Sequence, residues 1–255
     1  MTTELSYENY YHIRTYEIDN HKRLTIPALM RLMQETTMQH VIRLRLSVWD
    51  LEKQHLSWVL MRKQIVVQQM PILGQHIRIQ TYPAGIEKLF TYRDYKVFDE
   101  KGDLVVYATS TWMLMDTENR RMVNTTEVLR HYLDLMPPSN ACLPKFEGGK
   151  LAILPNYEHH CGFQVNWHDL DFNLHLNNTC YAQWMLDALP GEHLNSQPLQ
   201  RMDIYYRKEC VLKEELTSQA GWESPGVCQH RLVRLRDGVE VAAGRSYWVG
   251  GFKEG

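Results

Sequence analysis

The chain has 255 residues, of which 44% are hydrophobic and 23% are charged, and its formal net charge is -2 at pH 7. These values are ordinary for a globular protein of one large domain or two small ones, and the charge gives no sign of a nucleic-acid-binding protein. The sequence contains no apolar run of the ~20 residues needed to cross a bilayer. Its first residues lack the basic and apolar regions of a signal peptide, so we expect a cytoplasmic protein.

The spacing of cysteine and histidine indicates neither a metal centre nor a disulfide framework. The cysteines are odd in number, and no two of them form a CxxC pair of the kind that binds zinc. His159, His160 and Cys161 are adjacent, which fits a solvated strand end better than a set of metal ligands. We therefore expect reduced thiols and no bound metal. The cysteines are Cys142, Cys161, Cys180, Cys210 and Cys228.

The first half of the chain reads as one strand, one helix and a set of further strands. Residues 10–18 alternate loosely, which predicts a first strand. Thr25 is predicted to cap a helix, because Pro27 falls in its first turn and an apolar stripe at helical spacing follows. Four β-rich runs come next, separated by turn residues. They cover residues 58–67, 77–82, 89–98 and 104–115.

A stretch rich in proline and glycine separates this half from a second one. A short helical stretch begins near Thr126, and the spacing of apolar residues then becomes irregular until about residue 157. We therefore predict an amino-terminal domain over 1–136, a linker over 137–156 and a carboxy-terminal domain over 157–255.

The second half contains a group of polar residues directly before a helix. Asp171, Asn173 and His175 occupy alternate positions, so an extended chain would point all three side chains the same way. Asn177 or Asn178 can cap the helix that follows, which stops at a Pro-Gly pair. A carboxylate, an amide and an imidazole would then lie beside a helix N-terminus, where free N–H groups favour negative charge. This arrangement suits attack on a carbonyl group.

The two halves match each other by position. The second half is predicted to have strands at 161–167, 202–209, 216–222, 227–236 and 239–249. Glu35 corresponds to Asp187 with an offset of 152, and Gln69 corresponds to Glu209 with an offset of 140. A helix between a first strand and an antiparallel meander is accommodated when the sheet wraps around the helix. The sequence thus predicts an α+β protein with a double (tandem) hot-dog fold, in which the first half lacks the polar group.

The second half also carries motifs that resemble the acyl-[acyl carrier protein] thioesterase family of plants and bacteria. The motifs are Asp171-x-Asn173-x-His175-x-Asn177-Asn178-x-x-Tyr181-x-x-Trp184 and Tyr206-Arg207-Lys208-Glu209-Cys210. The Thr25-Ile26-Pro27 helix start and the strand from Ser57 to Leu60 are similar to the family's amino-terminal domain. The resemblance implies a double hot-dog fold, hydrolysis of fatty acyl thioesters on carrier protein, and no metal or organic cofactor.

The resemblance implies two alternative sets of catalytic residues. One is a protease-like trio of Asn173, His175 and Cys210, and the other is Asp171, Asn173, His175 and Glu209. Unless a bulge intervenes, alternation along the predicted strand would send Glu209 and Cys210 to opposite faces, so only one of them would face His175. We favour Glu209, because a carboxylate can activate water without a covalent intermediate.

In that interpretation Asn173 holds the oxyanion together with the helix N–H groups near Asn177 and Asn178, and Asp171 fixes the geometry. An acyl pocket is expected under the first helix. Its candidate lining residues are Met30, Met33, Trp58, Leu60, Met61 and Met113.

The expected partner is an acyl carrier protein, which is acidic in general and would dock on cations near the site. The candidate cations are Arg43, Arg45, Arg62, Lys63, Arg201, Arg207, Lys208 and Lys213. No nucleic acid or membrane insertion is expected, and a homodimer is compatible with the fold. Two alternatives stay open: a hot-dog enzyme acting on coenzyme A thioesters, and a non-catalytic acyl-binding module.

Overall fold

In the computed structural model, which describes residues 5–146, 151 and 153–249, both halves share one antiparallel sheet. The first half contains strands β1 Tyr7–His12, β2 Leu56–Val67, β3 His76–Glu87, β4 Phe90–Phe98, β5 Leu104–Asp116 and β6 Arg121–Met122. Its helices are α1 Ile26–Arg43, α2 Val48–Glu52 and α3 Thr125–Val128. The second half contains strands β7 His159–Gln164, β8 Leu199–Tyr206, β9 Glu215–Ser224, β10 Val227–Arg234 and β11 Glu240–Trp248, and helices α4 Asn178–Asp187 and α5 Gly191–Ser196.

The strand order shows how the halves join. It is β1-β3-β4-β5-β2-β8-β11-β10-β9-β7, with β6 paired to β5. Strands β2 and β8 pair antiparallel at the centre, from Arg62 opposite Tyr205 to Val66 opposite Arg201. The predicted architecture, an α+β tandem of antiparallel sheets each with a central helix, is confirmed.

One apolar core holds the two central helices against the sheet and against each other. Met30, Met33 and Met185 are fully buried and belong to a single cluster that includes residues of both halves. The predicted cap is confirmed, since the Thr25 hydroxyl accepts a hydrogen bond from the N–H of Ala28 and Pro27 lies in the first turn. Among the described residues, no helix is both long and apolar enough to span a bilayer.

Strand β8 is shorter than the predicted strand, which ran to residue 209. The N–H groups of Arg207 and Lys208 both donate to the carbonyl oxygen of Val241, which ends the regular pairing after Tyr206. Glu209 therefore lies in an irregular segment after the strand, and the strand alternation predicted in the absence of a bulge does not orient it.

Backbone hydrogen bonds give the true register of the repeat. In the first half the N–H of Leu24 donates to the carbonyl oxygen of Pro71, and in the second half the N–H of Leu176 donates to that of Cys210. The two donors, Leu24 and Leu176, are 152 positions apart, and the second pair, the acceptors Pro71 and Cys210, are 139 positions apart. The predicted offset of 140 for the second pair is therefore wrong by one residue.

This register changes the counterpart of Glu209. At an offset of 139 Glu209 corresponds to Met70, not to the predicted Gln69. At an offset of 152 His175 corresponds to Arg23. The first half thus has neither a carboxylate nor an imidazole at these two positions.

The predicted linker packs against the folded halves where the structure describes it. The N–H of Leu143 donates to Asp94 at 2.7 Å, and the ring of Phe146 lies 5.3 Å from that of Tyr205. Residues 147–150 and 152 of this linker, and residues 1–4 and 250–255 at the outer ends of the two predicted domains, lie outside the described residues. The predicted domain boundaries stay a prediction.

Candidate active site

The segment from Asp171 to His175 forms a tight turn, so the predicted extended strand is wrong. One carboxylate oxygen of Asp171 accepts hydrogen bonds from the N–H groups of Asn173 (2.8 Å) and His175 (3.2 Å). Leu174 has a φ of 61°, which an extended strand does not allow. The short polar side chain of aspartate favours such a turn over a strand. Asp171, Asn173 and His175 nevertheless all line one cavity.

Backbone contacts hold this turn next to the segment that follows β8. His175 forms an isolated bridge to Val211, next to the hydrogen bond from Leu176 to Cys210. As a result the Nε2 atom of His175 lies 3.7 Å from an Oε2 atom of Glu209, and both side chains are about one-third exposed. This distance is slightly longer than a hydrogen bond, as is common for catalytic pairs without substrate.

Cys210 is in a different environment from its neighbour Glu209. The cysteine is fully buried and does not line the cavity, whereas Glu209 does. Burial raises the pKa of the Cys210 thiol to about 11, which keeps it protonated at neutral pH. A protonated, enclosed thiol is a poor nucleophile, so the geometry favours the carboxylate set over the cysteine trio.

Replacing Cys210 by alanine is expected to leave kcat within a few-fold of wild type. The change removes one buried sulfur and should cost about 1–2 kcal/mol in the free energy of unfolding. Cys228→Ala is the matched control, because Cys228 is also fully buried but lies on β10, away from the cavity lining. Loss of all turnover in Cys210→Ala, with both variants equally stable in urea, would instead support a covalent acyl-cysteine.

Two consecutive asparagines at the start of α4 make different contacts. The Asn177 side chain accepts from the N–H (3.0 Å) and the hydroxyl (2.9 Å) of Thr179, so it is the N-cap. Asn178 lines the cavity, and its amide donates to the side-chain oxygen of Gln34 on α1 at 3.3 Å. Within the described part of the chain, the backbone N–H of Asn178 donates to no acceptor. It is therefore available to a ligand.

Two tyrosines hold α4 against the segment that carries Glu209. The Tyr181 hydroxyl donates to the carbonyl oxygen of Lys208 at 3.1 Å, and the Tyr206 hydroxyl donates to that of Asn178 at 3.2 Å. Their rings meet edge to face at 5.5 Å. Burial raises the pKa of both hydroxyls, so they remain protonated donors. This bracing fixes the distance between the helix N-terminus and Glu209.

The first half supplies a cation to the site that the sequence did not suggest. The Nη2 atom of Arg120 lies 3.4 Å from the same Glu209 oxygen that faces His175. Arg120 follows β5 in a turn held by the Asp116 carboxylate, and its side chain is 70% exposed at the cavity mouth. The contact joins residues 89 positions apart, so no local pattern could have predicted it.

The cavity has a volume of about 530 Å³ and is lined largely by the first half. Four of the six predicted side chains line it, namely Trp58, Leu60, Met61 and Met113. Met30 and Met33 do not, because they lie in the apolar core on the other face of α1. The α1 face that borders the cavity instead carries Gln34, Thr37 and Met38. A roomy, mostly apolar pocket of this size suits an aliphatic chain.

A buried arginine lies in the cavity wall on β4, away from the turn. Arg93 on β4 is 8% exposed and donates to His40 (3.1 Å) and Thr81 (3.2 Å). Strand β4 is three strands away from β8, or about 14 Å at ~4.8 Å per strand. Burial, together with the charges of Arg93 and Arg43, lowers the pKa of His40 to about 3. His40 therefore accepts from Arg93 as a neutral ring.

A second cavity, of about 710 Å³, occupies the equivalent place in the first half. Arg23 and Met70 line it at the positions of His175 and Glu209. Arg23 is paired with Asp19 at 2.8 Å. Because neither Arg23 nor Met70 can take a proton from water at these two positions, we place the chemistry in the first cavity. Among residues 5–146, 151 and 153–249, no three His, Cys, Asp or Glu side chains are grouped so that they could hold a metal ion.

The geometry can be compared with known proteins. Family models match two consecutive parts of the chain: the acyl-ACP thioesterase N-terminal domain matches residues 4–132, and the C-terminal domain matches 155–249. The palmitoyl-acyl carrier protein thioesterase of Cuphea hookeriana is 30% identical over 96% of this chain and 62% of its own length. Oleoyl-acyl carrier protein thioesterase 2 of Arabidopsis thaliana is 28% identical over 91% of this chain and 67% of its own. The chain thus spans less than two thirds of the first relative.

Solved structures agree on the fold. The 12:0-ACP thioesterase from Umbellularia californica superimposes with a TM-score of 0.87 at 25% identity, covering 97% of this chain and 98% of that one. An acyl-ACP thioesterase from Bacteroides thetaiotaomicron gives a TM-score of 0.86 at 20% identity, covering 97% and 100%. The two family models, which cover most of the chain, show that the protein belongs to the acyl-ACP thioesterase family.

Proposed function

We propose that this protein hydrolyses the thioester that links a fatty acyl chain to an acyl carrier protein, releasing free fatty acid and carrier protein. The observation that carries the proposal is the pair of Glu209 and His175 beside the Asp171 turn, where an apolar cavity meets the free N-terminus of α4. The curated relatives, which are named as acyl carrier protein thioesterases, support the choice of substrate.

In this mechanism Glu209 is the general base. With His175 at 3.7 Å it holds a water molecule and takes its proton as the oxygen attacks the thioester carbonyl. The tetrahedral intermediate then collapses, the carbon–sulfur bond breaks, and the departing thiolate receives the proton. The products are a carboxylic acid and the thiol of the carrier's prosthetic group, and no covalent enzyme intermediate is needed.

The oxyanion of the intermediate is held by donors at the start of α4. Asn173 lines the cavity ahead of the helix, and the N–H of Asn178, which donates to no acceptor among the described residues, lies at the positive end of the helix dipole. Such preorganised donors stabilise charge that develops in the transition state, and one of them is commonly worth ~10²–10³ in rate. Asp171 acts indirectly, because it fixes the backbone of Asn173 and His175.

The proposal is tested with one acyl chain presented on two carriers. We expect kcat/KM for the acyl group on carrier protein to exceed that for the same acyl group on coenzyme A by at least tenfold, measured as free thiol released per second. Equal or reversed values would identify a coenzyme A thioesterase. Tight binding of acyl carrier protein with no release of fatty acid would identify a non-catalytic binding module.

A further inference from the structure

Three large apolar side chains lie exposed together at the catalytic turn. Phe172 and Leu174 alternate with the three polar residues of the turn, and they are 51% and 68% exposed. Trp49 on α2 is 52% exposed, and its ring centre lies 5.9 Å from that of Phe172. We call Trp49, Phe172 and Leu174 the rim patch. Clustered exposed aromatic and aliphatic side chains of this kind are typical of protein contact sites.

Leu174 is unfavourable for the stability of the free protein in two ways. Its φ of 61° lies in the left-handed region, which costs roughly 1–2 kcal/mol for a residue with a Cβ atom. Its side chain gains little from burial within the chain, since two thirds of it faces solvent. A strained and exposed leucine at a functional turn points to a contact made outside the chain.

The equivalent turn of the first half is an internal control. There the two corresponding residues are Asn20 and Lys22, and Lys22 has a φ of 63°. The same backbone geometry is thus built with polar side chains in these positions. The fold does not require Phe172 and Leu174 to be apolar, and they are apolar in the half that carries the catalytic residues.

The rim patch adjoins the mouth of the catalytic cavity. Phe172 lines that cavity, and so does Val48, the residue before Trp49. A second copy of the chain seated on the patch would cover the mouth and exclude substrate. The partner that fits this place is the one that delivers the substrate.

The basic residues near the mouth suit an acidic partner. Lys208 and Arg120 are exposed and line the cavity. Of the other cations considered for docking, Lys63 is 4% exposed and cannot contact a partner, so that candidate was wrong. Arg120, Arg201 and Arg207 are each in an ion pair with a carboxylate of the chain, and Arg120 is the most exposed of the three, at 70% against 37% and 47%.

We propose that the rim patch is the apolar docking contact for the acyl carrier protein, with Lys208 and Arg120 meeting its acidic surface. The inference rests on the proposed function and names the surface that this function uses. Because Phe172 and Leu174 alternate with Asp171, Asn173 and His175, a docked carrier protein contacts the turn that holds the proposed catalytic groups.

The test compares carrier-bound substrate with a small thioester. Trp49→Gln and Leu174→Asn remove apolar surface, and asparagine accepts the left-handed backbone. For each variant, kcat/KM is measured with one acyl group on carrier protein and on N-acetylcysteamine, which lacks the protein. We expect kcat/KM on carrier protein, divided by kcat/KM on N-acetylcysteamine, to fall about tenfold, as loss of one buried apolar contact predicts. The loss should lie mainly in KM.

Lys22→Asn, at the position equivalent to Leu174, is the matched control and should leave the ratio unchanged. An unchanged ratio in both patch variants, or an equal loss with both substrates, would overturn the docking proposal. Direct binding of acyl carrier protein, followed by fluorescence anisotropy, keeps the two proposals separate. If wild type hydrolyses neither substrate, the proposed function fails, and weaker carrier binding by the patch variants would still support the docking site. A dimer in sedimentation that these variants dissociate would show that the patch joins copies of the chain.

Discussion

Replacing Glu209 by glutamine is expected to lower kcat for acyl carrier protein by about 10²–10⁴-fold, the usual contribution of a general base. The amide keeps the size of the side chain but cannot take a proton from water. KM should change little, because the acyl chain and the rim patch are untouched. The measurement is the rate of thiol release at saturating substrate, together with carrier protein affinity from anisotropy.

The corresponding position in the first half provides the control. Met70→Leu alters the structural counterpart of Glu209, which lines the second cavity, and should leave kcat at the wild-type value. Arg120→Gln is a second comparison, since it removes the cation that lies 3.4 Å from Glu209 while keeping the carboxylate. If Glu209→Gln retains more than a tenth of wild-type kcat, Glu209 is not the base. The Cys210 variant then becomes decisive.

The two central helices and their starts could be predicted because their signals are local. A threonine before a proline-containing first turn and an asparagine before an apolar periodic segment each specify a helix start within a few residues. The repeat could be predicted for a similar reason, since two halves with the same order of elements must bury the same faces. Thr25 is therefore found where the sequence placed it, and of the two predicted caps of the second helix Asn177 is the one used.

The geometry of the site could not be predicted, because tertiary contacts determine it. Strand periodicity applies only while pairing continues, and β8 stops pairing at Tyr206 where two N–H groups share one acceptor. The turn at Asp171 follows from that carboxylate's preference for nearby N–H groups, which competes with an extended strand. The central pairing of β2 with β8 brings Arg120 close to Glu209. The spacing of residues within either half does not predict this pairing.

The two halves share a backbone arrangement but differ in the side chains at the positions of His175 and Glu209. The second cavity keeps the turn, the positive φ and the backbone bond of the first, yet Arg23 and Met70 cannot activate water. The first half supplies most of the walls of the first cavity and the buried cluster of Arg93, His40 and Thr81. This cluster joins α1 to the sheet, and its stability should depend on pH.

The free energy of unfolding is expected to fall as the pH drops below about 6.5, with His40 as one main cause. In the folded protein burial, Arg93 and Arg43 lower the pKa of His40 from 6.5 to about 3. Between these values the unfolded chain binds a proton that the folded protein does not bind, so the contribution of neutral His40 is complete above pH 6.5 and is lost toward pH 3. Each pH unit in this range costs about 1.4 kcal/mol.

His40→Gln should make stability less dependent on pH, because glutamine can accept from Arg93 without titrating. The variant is expected to be less stable than wild type at pH 7, since it disturbs a buried site. The difference in the free energy of unfolding between wild type and His40→Gln, measured by urea unfolding, should narrow by about 2 kcal/mol between pH 6.5 and pH 4.5. His230, whose pKa burial lowers to about 4, stays in both proteins and leaves a common slope. His131→Gln, at an exposed position, should show no such narrowing. A constant gap for His40→Gln would mean that His40 does not control this transition.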